Sequence, residues 1–194
     1  MTRHTDSIFA RGAVIVPDFV TPAEEERILL RIAHAPWMTE LRRRVQHYGF
    51  RYDYRGTSHP EPAAPFPRWA DYVADRLRDR FGGALPVQCI VNEYRPGQGI
   101  GMHADHAQFG PVVASLSLAA GWQMRFRPRS LRPYARDGLP GDEVVVLPRR
   151  SVLVLAGAAR SEFMHGIDPA DTAGQAATRL SATFRTLAPA TRRP

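Results

Sequence analysis

The chain has 194 residues and a net charge of +7, long enough to bury one proper core and short for two. No run approaches the roughly 18 apolar residues of a membrane span, and Met1 to Arg11 lacks the continuous apolar stretch of a secretory signal. These features exclude a membrane-spanning helix and give the expectation of a cytoplasmic, monomeric protein with no membrane partner.

All 26 basic residues are arginine, and the positive balance favours a polyanionic partner such as nucleic acid, because phosphate neutralisation drives binding whatever the base sequence. The arginines bunch at Arg42 to Arg44, at Arg125, Arg127, Arg129 and Arg132, and at Arg149-Arg150. A merely solvated basic surface is the plainer alternative. The one cysteine, Cys89, lies in the apolar run Val87 to Val91. It reads as a small buried hydrophobe, and with no second cysteine there is neither an internal disulfide nor a cysteine zinc cluster.

Ala13 to Phe19 is a short β-branched segment. Thr21-Pro22-Ala23-Glu24 then opens a helix with a capping box and proline at its first position, running to about Ala33 before Pro36. Ile28, Leu29 and Ile32 form its buried face. In Val45 to Tyr54 the aromatics Tyr48, Phe50, Tyr52 and Tyr54 alternate with His47, Arg51, Asp53 and Arg55, so a strand here carries an aromatic stripe that is either core or a stacking platform. Pro60 to Pro67 is a surface loop.

Trp69, Tyr72, Val73, Leu77 and Phe81 recur at helical spacing until Gly82-Gly83 stops the helix. Short strands follow: Val87 to Tyr94, Met102 to Ala104, Val112 to Leu118, Gln123 to Arg127, Glu143 to Leu147, Ser151 to Leu155 and Thr178 to Leu187. Pro128 to Asp142 is a loop between two of them, either a lid or an insertion. This order gives an α+β, mainly β chain with a sandwich or jelly-roll core and the two early helices packed outside it. It shows no internal repeat or domain boundary.

The chemistry gathers in three places. On the short strand after Asn92-Glu93-Tyr94-Arg95-Pro96-Gly97, His103 and Asp105 are two residues apart and project from one face. Two ligands hold a transition metal poorly, and His165 in Phe163-Met164-His165-Gly166-Ile167 is the candidate third. Two histidines and a carboxylate with open positions is the arrangement of non-haem Fe(II) oxygenases. In the last strand Arg179, Ser181, Thr183 and Arg185 share one face, with Leu180, Ala182 and Phe184 on the other. Two guanidiniums so placed repel unless an anion lies between them, and a small dicarboxylate satisfies both.

Asn-x-Tyr-x-x-Gly, His-x-Asp, the distant His-Gly-Ile and Arg-x-Ser-x-Thr-x-Arg, in this order from about Arg44 to Leu187, resemble the AlkB family of Fe(II)- and 2-oxoglutarate-dependent dioxygenases. The resemblance implies a double-stranded β-helix over about residues 85–188 of a single domain, residues 1–84 being helical support and a substrate-recognition region. It implies Fe(II) on His103, Asp105 and His165, with 2-oxoglutarate and O2 as cosubstrates. Arg179 and Tyr94 hold the distal carboxylate of the oxoacid, Arg185 lies near the metal-bound end, and Asn92 and Ser181 are hydrogen-bonding neighbours. Tyr48, Phe50, Arg51, Tyr52 and Arg160 are the implied substrate contacts, on single-stranded DNA or RNA, including tRNA.

The implied reaction is oxidative demethylation of an alkylated nucleobase, releasing formaldehyde, succinate and CO2. Hydroxylation of tRNA or of a small molecule is the alternative within the same superfamily. Two departures bear on substrate: Ala107 and Gln108 follow His106 where base-repair members carry acidic residues, and Ser181 stands where they carry asparagine. A binding module without catalysis needs only the basic surface and the aromatics, and a cupin-type enzyme without oxoacid lacks the paired arginines.

Overall fold

The computed structural model describes residues 7–40, 42–51, 61–131 and 142–188. Strand β1 (Ala13–Val16) leads into helix α1 (Pro22–His34). The Thr21 hydroxyl accepts from the Glu24 amide at 3.2 Å, and the Glu24 carboxylate accepts from the Thr21 amide at 2.6 Å. This satisfies amides that have no partner within the helix. Ile28 and Ile32 are buried as expected, and so is Glu25. The Glu25 carboxylate accepts from the Ala119 amide at 2.8 Å and from Arg149 Nε at 2.8 Å, which ties the helix to the sheet behind it. Helix α2 (Arg68–Leu77) tightens into a 3-10 turn over Arg78–Phe81 and stops at Gly82, whose φ of 64° suits the residue without a Cβ. Tyr72 is exposed rather than in the core, and donates to Glu24 at 2.6 Å.

Two antiparallel sheets follow from the alternation in the strands. Six strands form one sheet in the order β1, β8 (Val152–Leu155), β5 (Phe109–Leu118), β10 (Arg179–Leu187), β3 (Gln88–Tyr94), β2 (Val45–Tyr48). Four form the other in the order β4 (Ile100–His103), β9 (Phe163–Ile167), β6 (Trp122–Pro128), β7 (Glu143–Leu147). Outward residues of the large sheet, among them Cys89, Val91, Leu116, Ala182 and Phe184, pack on Ile28, Ile32, Val73 and Leu77 of the two helices. Inward residues such as Tyr94, Leu153 and Leu155 pack with Trp122, Phe126 and Leu147 of the small sheet. This is the jelly roll with external helices. Among the described residues no helix is long and apolar enough to cross a membrane.

Three expectations need correction. The large sheet does not begin near residue 85: β1 and β2, from the first 50 residues, form its two edges by pairing with β8 and β3. The strand β9 carrying His165 and the short helices α3 (Gly157–Ser161) and α4 (Pro169–Thr172) were not foreseen from periodicity, since each is five residues or fewer. The aromatic stripe does not exist as one strand. β2 ends at Tyr48 because Gly49 turns with φ 76°, where a Cβ would run into the Val87 carbonyl. The backbone of residues 49–51 then bonds to Glu61, Ala63 and Ala64, and its one bond to β3 is the Phe50 carbonyl accepting from the Gln88 side chain at 3.0 Å.

Tyr48 faces the helices, edge-on to Trp69 at 6.2 Å between ring centroids, and its hydroxyl donates to Gln46 Oε1 at 3.0 Å. A side chain so placed is core. Tyr48→Ala should therefore cost about 3–5 kcal/mol of folding stability, and Tyr48→Phe about 1 kcal/mol for the lost hydrogen bond. Urea unfolding of the two variants measures both, and a near-neutral Tyr48→Ala would contradict the packing.

Candidate active site

Between the two sheets lies a cavity of about 450 Å³, lined by residues of both. Its polar lining includes His103, Asp105 and His165, and also Asn92, Tyr94, Ser181 and Arg185. Pairing brings them together from distant parts of the chain. His103 on β4 is the register partner of His165 on β9, with ring centroids 4.5 Å apart. Tyr94 is opposite Arg179, and Asn92 opposite Ser181, across the β3–β10 ladder.

Asp105 is 6% exposed. Its Oδ1 accepts from Arg185 Nε at 2.8 Å, with Nη2 of the same guanidinium at 2.5 Å. Its Oδ2 is buried without a hydrogen-bond partner, 3.8 Å from His165 Nε2. Burial works to raise this carboxyl, but Arg185, the two histidines and Arg160 overcome it and hold the group well below the usual carboxylate range. Burial also pushes His165 down to about 3, helped by the neighbouring His103, and burial lowers His103 as well. His103 Nδ1 lies 2.9 Å from the Gly101 carbonyl, which fixes Nδ1 as the N–H and leaves the lone pair on Nε2.

Among the described residues no three such side chains stand at metal-binding distance. Two ligands about 2.1 Å from a metal at a right angle are about 3 Å apart, so the 3.8 Å between His165 and Asp105 closes by less than an ångström. Two neutral imidazoles and one ionised carboxylate with an unpartnered oxygen are the donor set a divalent iron takes.

Arg179 is fully buried. Nη2 donates to Ser117 Oγ at 2.8 Å, while Nε and Nη1 have no partner. Burial lowers its pKa to about 10, so at neutral pH it is a cation without a carboxylate. A buried charge left so is costly, and an oxoacid carboxylate would satisfy both nitrogens. The Tyr94 ring lies 5.8 Å from this guanidinium and 5.9 Å from that of Arg43. Arg43 Nε donates to Asn92 Oδ1 at 2.9 Å, which turns the Asn92 amide nitrogen away from Arg43. Ser181 and Ser115 share a hydrogen bond of 2.8 Å.

The substrate residues expected from the sequence scatter. Tyr48 is core, as described above. Phe50 is half-buried and pairs with Pro62, Arg51 is exposed, and Tyr52 lies outside the described residues with Asp53, Tyr54 and Arg55. Arg160, on α3, is 9% exposed and does not present its donors to a substrate: Nη1 and Nη2 donate to the backbone carbonyls of Asp105 and His106, each at 3.1 Å. It holds the loop that carries Asp105. Periodicity missed Ser115, Ser117, Arg43 and His47. The Ser-x-Ser of an otherwise apolar β5 was the available signal for the first two.

The family model of the 2OG-Fe(II) oxygenase superfamily matches residues 21–185. The mouse alpha-ketoglutarate-dependent dioxygenase alkB homolog 4 is 30% identical, over 91% of this chain and 67% of that protein. The chain belongs to the AlkB family of 2OG-Fe(II) oxygenases. Uncharacterized protein L905 of Acanthamoeba polyphaga mimivirus is 31% identical over 90% of this chain and 84% of its own length. The alkylated DNA repair protein ALKBH8 homolog of Arabidopsis thaliana is 32% identical over 80% of this chain, which spans only 50% of that relative. The solved structure of OsALKBH1 superposes with a TM-score of 0.64 at 19% identity, over 91% of this chain and 98% of that one, and shares the fold. As an AlkB-family member the protein is a dioxygenase that uses Fe(II), with 2-oxoglutarate and O2 as cosubstrates.

Replacing Arg179 separates binding from folding. Arg179→Met should weaken 2-oxoglutarate about 10- to 100-fold, the loss of charge-assisted hydrogen bonds worth about 1.5–3 kcal/mol. The apoprotein should keep or raise its Tm, because a buried unpaired charge is removed. Calorimetric titration of the Mn(II)-loaded variant and thermal unfolding of the apo form check the two halves. Wild-type oxoacid affinity would move the anion site elsewhere.

Proposed function

We propose that this AlkB-family enzyme oxidatively demethylates alkylated nucleobases in single-stranded DNA or RNA. His103, Asp105 and His165 hold the iron, and Arg179 with Tyr94, Asn92 and Ser181 holds the oxoacid. The observation that carries the cofactor half is the fully buried Arg179, whose Nε and Nη1 face no partner of the protein's own. The substrate half is supported by the net charge of +7 and by relatives named for alkylated DNA repair and, at 28% identity, as a probable RNA/DNA demethylase, ALKBH6 of Danio rerio.

Bound Fe(II), with the oxoacid and O2, supplies oxidation of a C–H bond at the open side of the site. The residues of the chain do the rest. Arg185 anchors Asp105 through Oδ1 and leaves Oδ2 for the metal. Arg160 holds the backbone on which Asp105 sits, so its carboxylate keeps one orientation. Ile90, Val113, Met124, Leu153 and Leu155 give the cavity an apolar stretch of wall that keeps water from the reacting carbon. One oxygen atom enters succinate and the other the substrate. A hydroxylated N-methyl carbon leaves as formaldehyde and restores the base.

A second reading has a specific observation behind it. The chain is 35% identical to the tRNA (carboxymethyluridine(34)-5-O)-methyltransferase alkbh8 of Xenopus tropicalis, over 81% of this chain and 25% of that protein. On that reading a carbon of a tRNA base is hydroxylated and the product is a stable alcohol. Protein supplied with Fe(II), 2-oxoglutarate and ascorbate, incubated with methylated DNA and RNA oligonucleotides and with bulk tRNA, distinguishes the two. Demethylation gives formaldehyde and succinate in equal amounts and is lost in Asp105→Ala. Succinate with one added oxygen on tRNA and no formaldehyde would favour the second reading, and no product from any nucleic acid would overturn both.

A further inference from the structure

A second cavity, of about 750 Å³, opens between α1 and the start of α2. The buried Ile28, Tyr48 and Trp69 form its apolar floor. All three belong to the cluster between the large sheet and the helices, so the sheet separates this trough from the cavity that holds the histidines. Glu24, Arg27, Arg31 and Ala35 follow one another along α1 as one wall, which at 1.5 Å per residue is about 16 Å long. Arg68 and Tyr72 belong to the other.

The charge left over on these walls has one sign. Glu24 accepts from the Thr21 amide and from the Tyr72 hydroxyl, each at 2.6 Å, and lies 3.4 Å from Arg76, so its carboxylate is occupied. Arg27, Arg31 and Arg68 are exposed and make no hydrogen bond or ion pair among the described residues. A wholly apolar ligand would leave these guanidiniums uncompensated, and a bare polyanion would leave the floor against water. The occupant needs anionic and apolar groups side by side. The segments of the chain outside the described residues carry no net negative charge, and a second copy brings a net charge of +7 of its own.

We propose that the trough between α1 and α2 docks an extended acidic segment of a partner protein, in which carboxylates alternate with apolar side chains. Arg27 and Arg31 are one helical turn apart, about 6 Å along the axis, close to the roughly 7 Å between residues i and i+2 of an extended chain. Carboxylates on one side of the segment therefore meet successive guanidiniums of α1, each a fork of N–H donors that fits a carboxylate. The residues between them turn the other way, toward Trp69 and the wall begun by Arg68. A wall of about 16 Å takes about five extended residues.

The probes are two fluorescein-labelled peptides of equal charge, Glu-Phe-Glu-Leu-Glu-Leu-Glu and Glu-Ser-Glu-Ser-Glu-Ser-Glu, and labelled single-stranded pentauridylate. Each is titrated with the whole protein at low salt and followed by fluorescence anisotropy. Arg27→Gln and Arg31→Gln, singly and together, are compared with Arg80→Gln, which removes the same charge from an exposed arginine outside the trough. All these side chains are exposed, and thermal unfolding of each variant verifies that the fold is kept. The apolar-acidic peptide should bind about 10-fold more tightly than the serine peptide, because its rings and methyls leave water on the floor. Each single variant should weaken it about 3-fold and the double variant about 10-fold, with Arg80→Gln at the wild-type value.

An equal loss in Arg80→Gln would be a response to net charge alone and would overturn the docking site. Equal binding of the serine peptide, or no binding of the apolar-acidic peptide to the wild-type protein, would do the same. Weaker pentauridylate binding in the Arg27 and Arg31 variants, with peptide binding unchanged, would give the trough to nucleic acid. A concentration-dependent dimer in sedimentation that the double variant dissociates, again with peptide binding unchanged, would give it to a second copy. Either result would overturn the proposal.

Discussion

Strand β10 is held on both sides, by β3 and by β5, and its register decides what the interior of the barrel contains. Pairing sets Arg179 opposite Tyr94, Ser181 between Asn92 and Ser117, and Thr183 between Ile90 and Ser115. The same pairing turns Ala182 and Phe184 outward into the cluster under the helices. A slip by one residue would send two arginines into that cluster and Phe184 into the cavity, which burial of both faces forbids. The apolar face thereby enforces the polar one.

Holding arginine inside a sheet is expensive, and the two cases are settled differently. Arg185 is paired with Asp105 and also donates to Gln88 at 3.0 Å, so its charge is compensated within the protein. Arg179 has Ser117 and two nitrogens without partners. Charge left uncompensated in the folded protein is what a small anionic cosubstrate recognises, and an oxoacid-using family is where such a residue is explained. The end proposed to hold iron follows the same logic with opposite sign, since the unpartnered Oδ2 of Asp105 faces neutral imidazoles.

Rigidity at the site comes from outside the motifs. The loop after β4 contains Asp105 and His106, and its backbone carbonyls are fixed by Arg160 on the short helix α3. On the other side of the cavity Arg43 orients Asn92. Neither residue belongs to the His-x-Asp or Arg-x-Ser-x-Thr-x-Arg motifs. Arg160 acts on the backbone of Asp105 and Arg43 on Asn92; the segment leading into edge strand β2 brings Arg43, and the connection into β9 brings Arg160.

Much of this was legible in the sequence wherever the signal is local. Alternation over seven to ten residues identified β3, β5 and β10 and the two faces of β10, because a strand sorts its side chains with period two whatever it pairs with. The capping box at Thr21 and the glycines at 82 and 83 set the helix limits by backbone chemistry alone. His103, Asp105 and His165 could be named from residue type and order. Their convergence could not, since it depends on β4 pairing with β9 in the register that sets His103 against His165. The aromatic stripe failed for a related reason: period two predicts faces only while the chain stays straight, and Gly49 bends it against Val87. Which side of β2 meets the cavity, and hence that Arg43 and His47 face it while Tyr48 faces the helices, follows from the pairing of β2 with β3. Arg160, an implied substrate contact in the sequence, likewise shows its hold on the Asp105 loop only when the fold brings two carbonyls within its reach. Side-chain type and local period are properties of the chain; register, and the partner that a buried charge finds, belong to the tertiary structure.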